Sequence, residues 1–353
     1  MFGKTRRFPA QAEPNSPSAG TPAVAPWGMT HALDTVTPTP LLDLPGLARL
    51  AGVGRVLVKD ESRRALGAFK SLGGVNAGLK ALERAGPGTV RRLICASEGN
   101  HGLAVAEAAR QAGAQARIYL SAQVSAARSG RIAALGAEIV RVEGSFDAAV
   151  NAAHAAAGRG EGLLIPDTSE DSDDPVVRDV MDGYKRLAHE LPGQFAAADA
   201  WPSHALVQAG VGGLAGAVAE GLAEIMADHP RFTVVEPQTA ACVAAALAAG
   251  RPVQLDSELQ TCASMLACGL ASTPALQVLL RYGATAISVD EPGLLAAPET
   301  LFRAGGPATT PSGAAGLAGL LAAAAAPELR ARLSLAADSR VLLIVSEAVP
   351  PRG

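Results

Sequence analysis

The chain has little that would tie it to a disulfide scaffold, a nucleic acid or a membrane. Its four cysteines in 353 residues include no C-x-x-C pair, which excludes a disulfide framework or zinc ribbon, and no metal site is read. The net charge is only −3, with both signs interspersed along the chain, so there is no electrostatic footprint for nucleic acid or an anionic membrane. The start, from Met1 to about Thr30, carries Lys4, Arg6, Arg7 and several prolines but no apolar core of a secretory signal. We read residues 1–35 as a loose, exposed arm and the protein as cytoplasmic. One charge-free stretch, 309–327, TTPSGAAGLAGLLAAAAAP, has nearly the length of a membrane span. Its glycine and alanine make it weakly apolar, and a buried helix explains it better.

What remains is a chain long enough for roughly two domains of about 100–200 residues each, with a small molecule as its partner. RVLVKDE reads as a strand running into a polar loop, KDESRR, and SLGGVNAGLKALERAG as the helix that follows. Before them, TPTPLLDLPGLARLAG is a proline-bounded segment and a short helix. RRLICASEGNHGLAVAEAARQAG gives strand, turn and helix, and ARIYLSAQVSAARSGRIAALGAEIVRVEG repeats the order. The second half continues with HALVQAGVGGLAGAVAEGLAEI, RFTVVEP and a closing strand, SRVLLIVSEA. Such alternation predicts parallel βαβ units, hence an α/β fold of two open, twisted, mostly parallel sheets with flanking helices and a ligand cleft between them.

Three stretches could carry chemistry. Lys70 follows an aromatic residue, Phe69, at a helix start, where the helix end and apolar neighbours would lower an ammonium pKa, as an imine-forming lysine requires. Taken alone it reads more simply as a solvated lysine on the first turn of a surface helix. The turn Ser97-Glu98-Gly99-Asn100-His101-Gly102 could hold a carboxylate at a helix end, with Glu98 as a base. It could also be an N-cap and first-turn acid, with His101 satisfying a local hydrogen bond. The turn Gly210-Val211-Gly212-Gly213-Leu214 can converge amides on a phosphate. It also serves packing, and with Glu236 it imitates a dinucleotide fingerprint.

Together these blocks, with Asp167-Thr168, SHALVQAGVGGLAG, VVEP, MLACG, SGAAGL and VSEA, resemble the fold type II pyridoxal-phosphate enzymes of the tryptophan synthase β family, over 40–348. Within it the pattern is most similar to the ammonia-lyases that act on diaminopropionate. The resemblance implies pyridoxal 5'-phosphate on Lys70 beside Phe69, its phenolic oxygen at Asn100, its phosphate at Gly210, Val211, Gly212, Gly213 and Leu214, and its pyridine nitrogen at Ser346. A hydroxyl there, unlike a carboxylate, leaves that nitrogen largely unprotonated and favours elimination over transamination. Ser97, Glu98, Gly99, His101 and Asp167 would face an amino-acid substrate, with Lys70, Glu98 and Asp167 catalytic. Residues 36–74 and 185–353 would form a large cofactor domain and 75–184 a small one, in a homodimer. Cys242 and Cys268, at positions where the family can carry cysteines, are read as packing residues.

Two positions depart from the lyase pattern: Glu98 stands where it has Asp, and Pro311 where it has Glu. The expected reaction is elimination of ammonia from 2,3-diaminopropionate or a close β-substituted amino acid, giving pyruvate and ammonia. A second base at Glu98, opposite Lys70, would let both α-configurations react, which favours a lyase over a serine/threonine-type dehydratase. From other classes come a nicotinamide-dependent oxidoreductase, suggested by the glycine turn and Glu236, and a non-catalytic sensor, suggested by the two departures.

Overall fold

The computed structural model describes residues 37–86, 91–97, 99–255 and 259–350. The N-terminal arm and Glu98 lie outside the described residues. In chain order the first elements are β1 (Leu41–Asp43), α1 (Pro45–Ala51), β2 (Arg55–Asp60), α2 (Lys70–Ala85), β3 (Arg92–Ala96), α3 (Asn100–Gln111), β4 (Gln115–Ser121), α4 (Ala126–Ala133), β5 (Glu138–Val142), α5 (Phe146–Gly158) and β6 (Leu163–Leu164). There follow α6 (Pro175–His189), α7 (Leu191–Ala198), β7 (His204–Gln208), α8 (Gly213–Ile225), β8 (Arg231–Pro237), α9 (Cys242–Ala249), α10 (Thr273–Arg281), β9 (Thr285–Val289), α11 (Glu291–Arg303), α12 (Ala315–Ala325), α13 (Pro327–Arg332) and β10 (Arg340–Val345).

The strands form a six-stranded sheet, β1-β2-β10-β7-β8-β9, and a four-stranded sheet, β5-β4-β3-β6. Apart from the antiparallel β1–β2 pair, every pairing of named strands is parallel. The α/β, mostly parallel reading therefore holds. It missed β1, because a three-residue strand between prolines has no period to detect. Strands buried on both faces, such as β7, all five of whose residues are buried, read as short apolar runs because helices cover both sides of a parallel sheet. The charge-free stretch forms α12, only 11 residues long and largely buried. Among the described residues no helix is long and apolar enough to cross a membrane.

The loop read as polar after β2 is instead partly interior, with Arg63 alone of KDESRR exposed. Lys59, Glu61 and Arg64 are 0%, 0% and 4% exposed, and they close a charge network with Glu190 at the C-terminus of α6. Lys59 Nζ lies 2.6 Å from Glu190 Oε2, and Arg64 donates to Glu61 at 2.7 Å and to Glu190 at 2.8 Å. Thr39 completes it, donating to Glu61 and accepting from Lys59 through its carbonyl. Two cations and two carboxylates cancel, which is what makes burial of four charges tolerable. Burial pushes the Lys59 ammonium below its usual range against these carboxylates. The network ties the segment that delivers Lys70 to α6. Glu190→Gln, which leaves two buried cations facing one carboxylate, is expected to lower unfolding stability by about 3–5 kcal/mol. Urea denaturation measures this, and a loss near zero would show the network to be dispensable.

Candidate active site

Parallel sheets open their ligand sites at the carboxyl ends of their strands, and every candidate segment with described residues lies at one. In the large sheet β2 leads to Lys70, β7 to the glycine turn and β10 to Ser346; in the small sheet β3 leads to Ser97 and β6 to Asp167. The two sets face each other across a cleft of about 1150 Å³, including its open mouth, which Lys70, Asn100, Asp167, Gly212 and Ser346 all line.

Lys70 is the first residue of α2. Its Nζ donates to Asp167 Oδ2 at 2.6 Å, and the two side chains are 22% and 27% exposed. The expectation of a lowered lysine pKa is corrected here. Burial pushes the ammonium down, but the Asp167 carboxylate outweighs it and holds Lys70 well above its ordinary value. Conversely, burial pushes the Asp167 carboxyl up, and the Lys70 ammonium outweighs that and holds it below the usual range. The family resemblance put Asp167 near the substrate, but not its pairing with Lys70, which it reaches from 97 residues away.

The glycine turn ends at Gly212, whose φ of +99° is a left-handed conformation suited to glycine. A Cβ at Gly210 would come within 2.9 Å of Cys268 Sγ. No side chain caps α8, so the amides at its start have no capping acceptor and carry the positive end of the helix dipole. Cys242 and Cys268 are free thiols packed beneath this turn, the former donating to the Gly210 carbonyl at 3.4 Å.

At the start of α3 the N-cap residue is Gly99, with no side-chain cap. The reading of Asn100 as a mere N-cap therefore fails: its Nδ2 donates across the cleft to Glu347 Oε2 at 2.5 Å. The Ser97 hydroxyl accepts from the amides of Gly99 and Gly102, at 3.2 and 2.8 Å, and shapes the turn. His101 is buried with Nε2 2.8 Å from the Ile165 carbonyl; burial, with Lys70 nearby, lowers its pKa. Phe69 packs edge-on against Tyr184 at 4.8 Å, and Ser346 anchors the Lys70 segment through its carbonyl, which accepts from Phe69 N at 3.1 Å.

The oxidoreductase reading fails on Glu236. It is fully buried and its two oxygens accept from Val243 N and Ala244 N at 2.8 Å, at the start of α9. Burial pushes it up to about 7 despite those amides, and no ribose could reach it. Sequence reasoning overlooked Glu347, whose other oxygen accepts from Thr310 at 2.5 Å and whose carboxyl burial pushes upward. A lone acid directly after the apolar strand LLIV and Ser346 was the available signal. Tyr184 was also missed, because on an amphipathic helix it is indistinguishable from core.

A lysine amine held beside a carboxylate, facing a glycine turn with uncapped amides, defines a protein that binds a phosphorylated, amine-reactive cofactor. Residues 32–347 match the family described as pyridoxal-phosphate dependent enzyme. The diaminopropionate ammonia-lyase of Escherichia coli K12 is 31% identical over 335 residues, covering 88% of this chain and 84% of that protein. The E. coli enzyme in complex with an aminoacrylate-PLP azomethine reaction intermediate superposes with a TM-score of 0.78 at 32% identity, over 88% of this chain and 84% of that one. A biosynthetic L-threonine dehydratase from Mycobacterium bovis is 30% identical over 82% of this chain and 65% of its own length. The chain belongs to the pyridoxal-phosphate dependent enzymes. Pyridoxal 5'-phosphate is its cofactor, and the residues present fit it: an amine at Lys70, uncapped amides at the start of α8 and a buried hydroxyl at Ser346.

The ion pair has a pH signature. Its stabilisation is present between the ordinary carboxylate and amine values, about 4 and about 10.5. It is lost as pH falls through the depressed Asp167 value, or rises through the raised Lys70 value. In Asp167→Asn the carboxylate's hold is lost and burial is opposed only by Tyr184, so the lysine pKa should fall. Reductive labelling of Lys70 in cofactor-free protein, followed by mass spectrometry against pH, should show the reactive amine emerging at least about one unit lower. An unchanged or higher midpoint would show that Asp167 does not control the amine.

Proposed function

We propose that this enzyme eliminates ammonia from 2,3-diaminopropionate, or a close β-substituted amino acid. The observation that carries the reading is the Lys70–Asp167 pair facing the glycine turn; likeness to the diaminopropionate ammonia-lyases over 88% of the chain supports it. When bound, pyridoxal phosphate supplies an electron sink that acidifies the α-proton of an attached amino acid and lets a β-substituent depart. Lys70 carries it, beside Phe69. The amides of Gly210, Val211, Gly212, Gly213 and Leu214 hold its phosphate, Asn100 its phenolic oxygen and Ser346 its pyridine nitrogen.

Ser97, Gly99 and His101 form the substrate-carboxylate side, with the neutral His101 ring fixed by the Ile165 carbonyl. In the cofactor-free protein Asp167 holds a proton on Lys70. Lys70 would take the α-proton of one enantiomer from one face of Cα, and Glu98 that of the other enantiomer from the opposite face. The β-amino group leaves with a proton as ammonia. Hydrolysis of the remaining enamine gives pyruvate and a second ammonia. Glu347, bonded to both Asn100 and Thr310, orients Asn100.

Residues 36–74 and 185–353 form the large domain of this reading and 75–184 the small one, in keeping with the two sheets. A cytoplasmic homodimer accompanies it, supported by four free cysteines and by exposed Leu50, Leu295 and Phe302 on α1 and α11. Serine/threonine dehydration is the second reading, favoured by the likeness to threonine dehydratase. Ammonia release from each enantiomer of diaminopropionate and from L-serine and L-threonine tests both, with Lys70→Ala as the inactive control. Diaminopropionate should be the preferred substrate, and Glu98→Gln should reduce kcat/KM for the D-isomer alone by roughly 10²–10⁴-fold. Equal losses for both enantiomers, or full D-isomer turnover, would remove Glu98 from the mechanism and put the dehydratase first.

A further inference from the structure

One polar group in the cleft has no use in the scheme above. Tyr184 is 1% exposed, it lines the cleft, and although the Lys70 ammonium, a donor only, faces its hydroxyl, no described residue accepts the hydroxyl proton. Leaving a buried hydroxyl unpaired is costly, so its retention points to a ligand that completes it.

The surroundings specify the ligand's charge. The ring lies between two helix starts. A Cβ at Gly73, in the first turn of α2, would come 2.7 Å from Tyr184 Cζ, and one at Gly213, the first residue of α8, would lie 3.7 Å from Cε2. Lys70 Nζ is 5.7 Å from the ring centroid. Two positive helix ends and an ammonium thus border the phenol. Burial pushes its pKa up to about 12, against the Lys70 charge, so at neutral pH it is a hydrogen-bond donor. The nearest acid, Asp167, is already engaged by Lys70. A neutral donor in a positive surrounding is matched by an anion from outside the chain.

We propose that Tyr184 is a cofactor-binding residue whose hydroxyl donates a hydrogen bond to the phosphate of pyridoxal phosphate. This rests on the phosphate lying at the Gly210–Leu214 amides, and it adds a side-chain donor to a site otherwise built from backbone. It also accounts for Gly73: any side chain there would occupy the position of the phenol ring.

The test compares two ligands. Cofactor-free protein is titrated with pyridoxal phosphate and with pyridoxal, which lacks the phosphate. Tyr184→Phe keeps the ring and its packing, and should weaken pyridoxal phosphate roughly 10- to 100-fold, the loss of one hydrogen bond to a charged group, while leaving pyridoxal unchanged. Equal weakening of both ligands, or of neither, overturns the proposal. Gly212→Asp separates the two assignments. If it selectively weakens pyridoxal phosphate and Tyr184→Phe does not, the turn holds the phosphate and the tyrosine has no part; if it does not, the phosphate placement falls and the proposal with it. A readout free of substitution at Tyr184 uses the chain labelled with 3-fluorotyrosine. With three tyrosines, inorganic phosphate added to the cofactor-free protein should move one of three fluorine resonances. No movement at saturating phosphate overturns the proposal.

Discussion

The close approach of α2 to α6 is the constraint on which the rest of the site depends. Gly73 and Gly183 meet almost backbone to backbone, and a Cβ on Gly183 would stand 2.7 Å from the Gly73 Cα. Overpacking of that kind cannot be relieved by rotating a side chain, because the obstructing atoms are main chain. The contact sets the height of Lys70 above α6, places the Tyr184 ring beside the helix start, and brings Phe69 edge-on to it. Gly74 and Gly78 repeat the device toward α3, each facing an alanine β-carbon of that helix. The helix that carries the lysine is therefore positioned by absent side chains on two faces.

Charge is handled differently at the two ends of the segment that delivers Lys70. At its start, Lys59, Glu61, Arg64 and Glu190 neutralise one another inside the protein; such a network adds less net stability than its short distances suggest, since desolvation offsets the attraction. Its effect is geometric, since four groups that satisfy one another in one arrangement fix where β2 ends relative to α6. At its end, Lys70 and Asp167 balance each other in the cleft with about a quarter of each side chain still accessible. That second pair can be opened by a ligand that supplies its own charges, and the first cannot be opened without leaving a buried charge uncompensated.

Helix ends supply much of the remaining polarity. The uncapped start of α8 offers amides to the cleft, whereas the start of α9 is already taken by Glu236. The same chemistry, backbone amides at a helix start, is thus open in one place and closed by a carboxylate in the other. Glu347 joins the sheets in a comparable way, with Asn100 of the small-sheet side and Thr310 of the large-sheet side on its two oxygens.

The sequence by itself determined the alternation of strands and helices, the helix start at Lys70 and the glycine turn before α8. Each is legible because it depends on local periodicity or on a backbone conformation that few residues adopt. It also carried the family likeness, since that likeness is written in contiguous motifs. Tertiary structure decided that the last strand, β10, lies between β2 and β7, which sets Ser346 between Lys70 and the glycine turn. It decided that Lys59, Glu61 and Arg64 are interior, that Glu236 caps a helix, that Asp167 pairs with Lys70, and that Tyr184 and Glu347 reach the cleft. None of these has a local signature, because the sign of a pKa shift, or the use of a polar side chain, is fixed by partners that are distant in sequence and meet only after the sheets have formed.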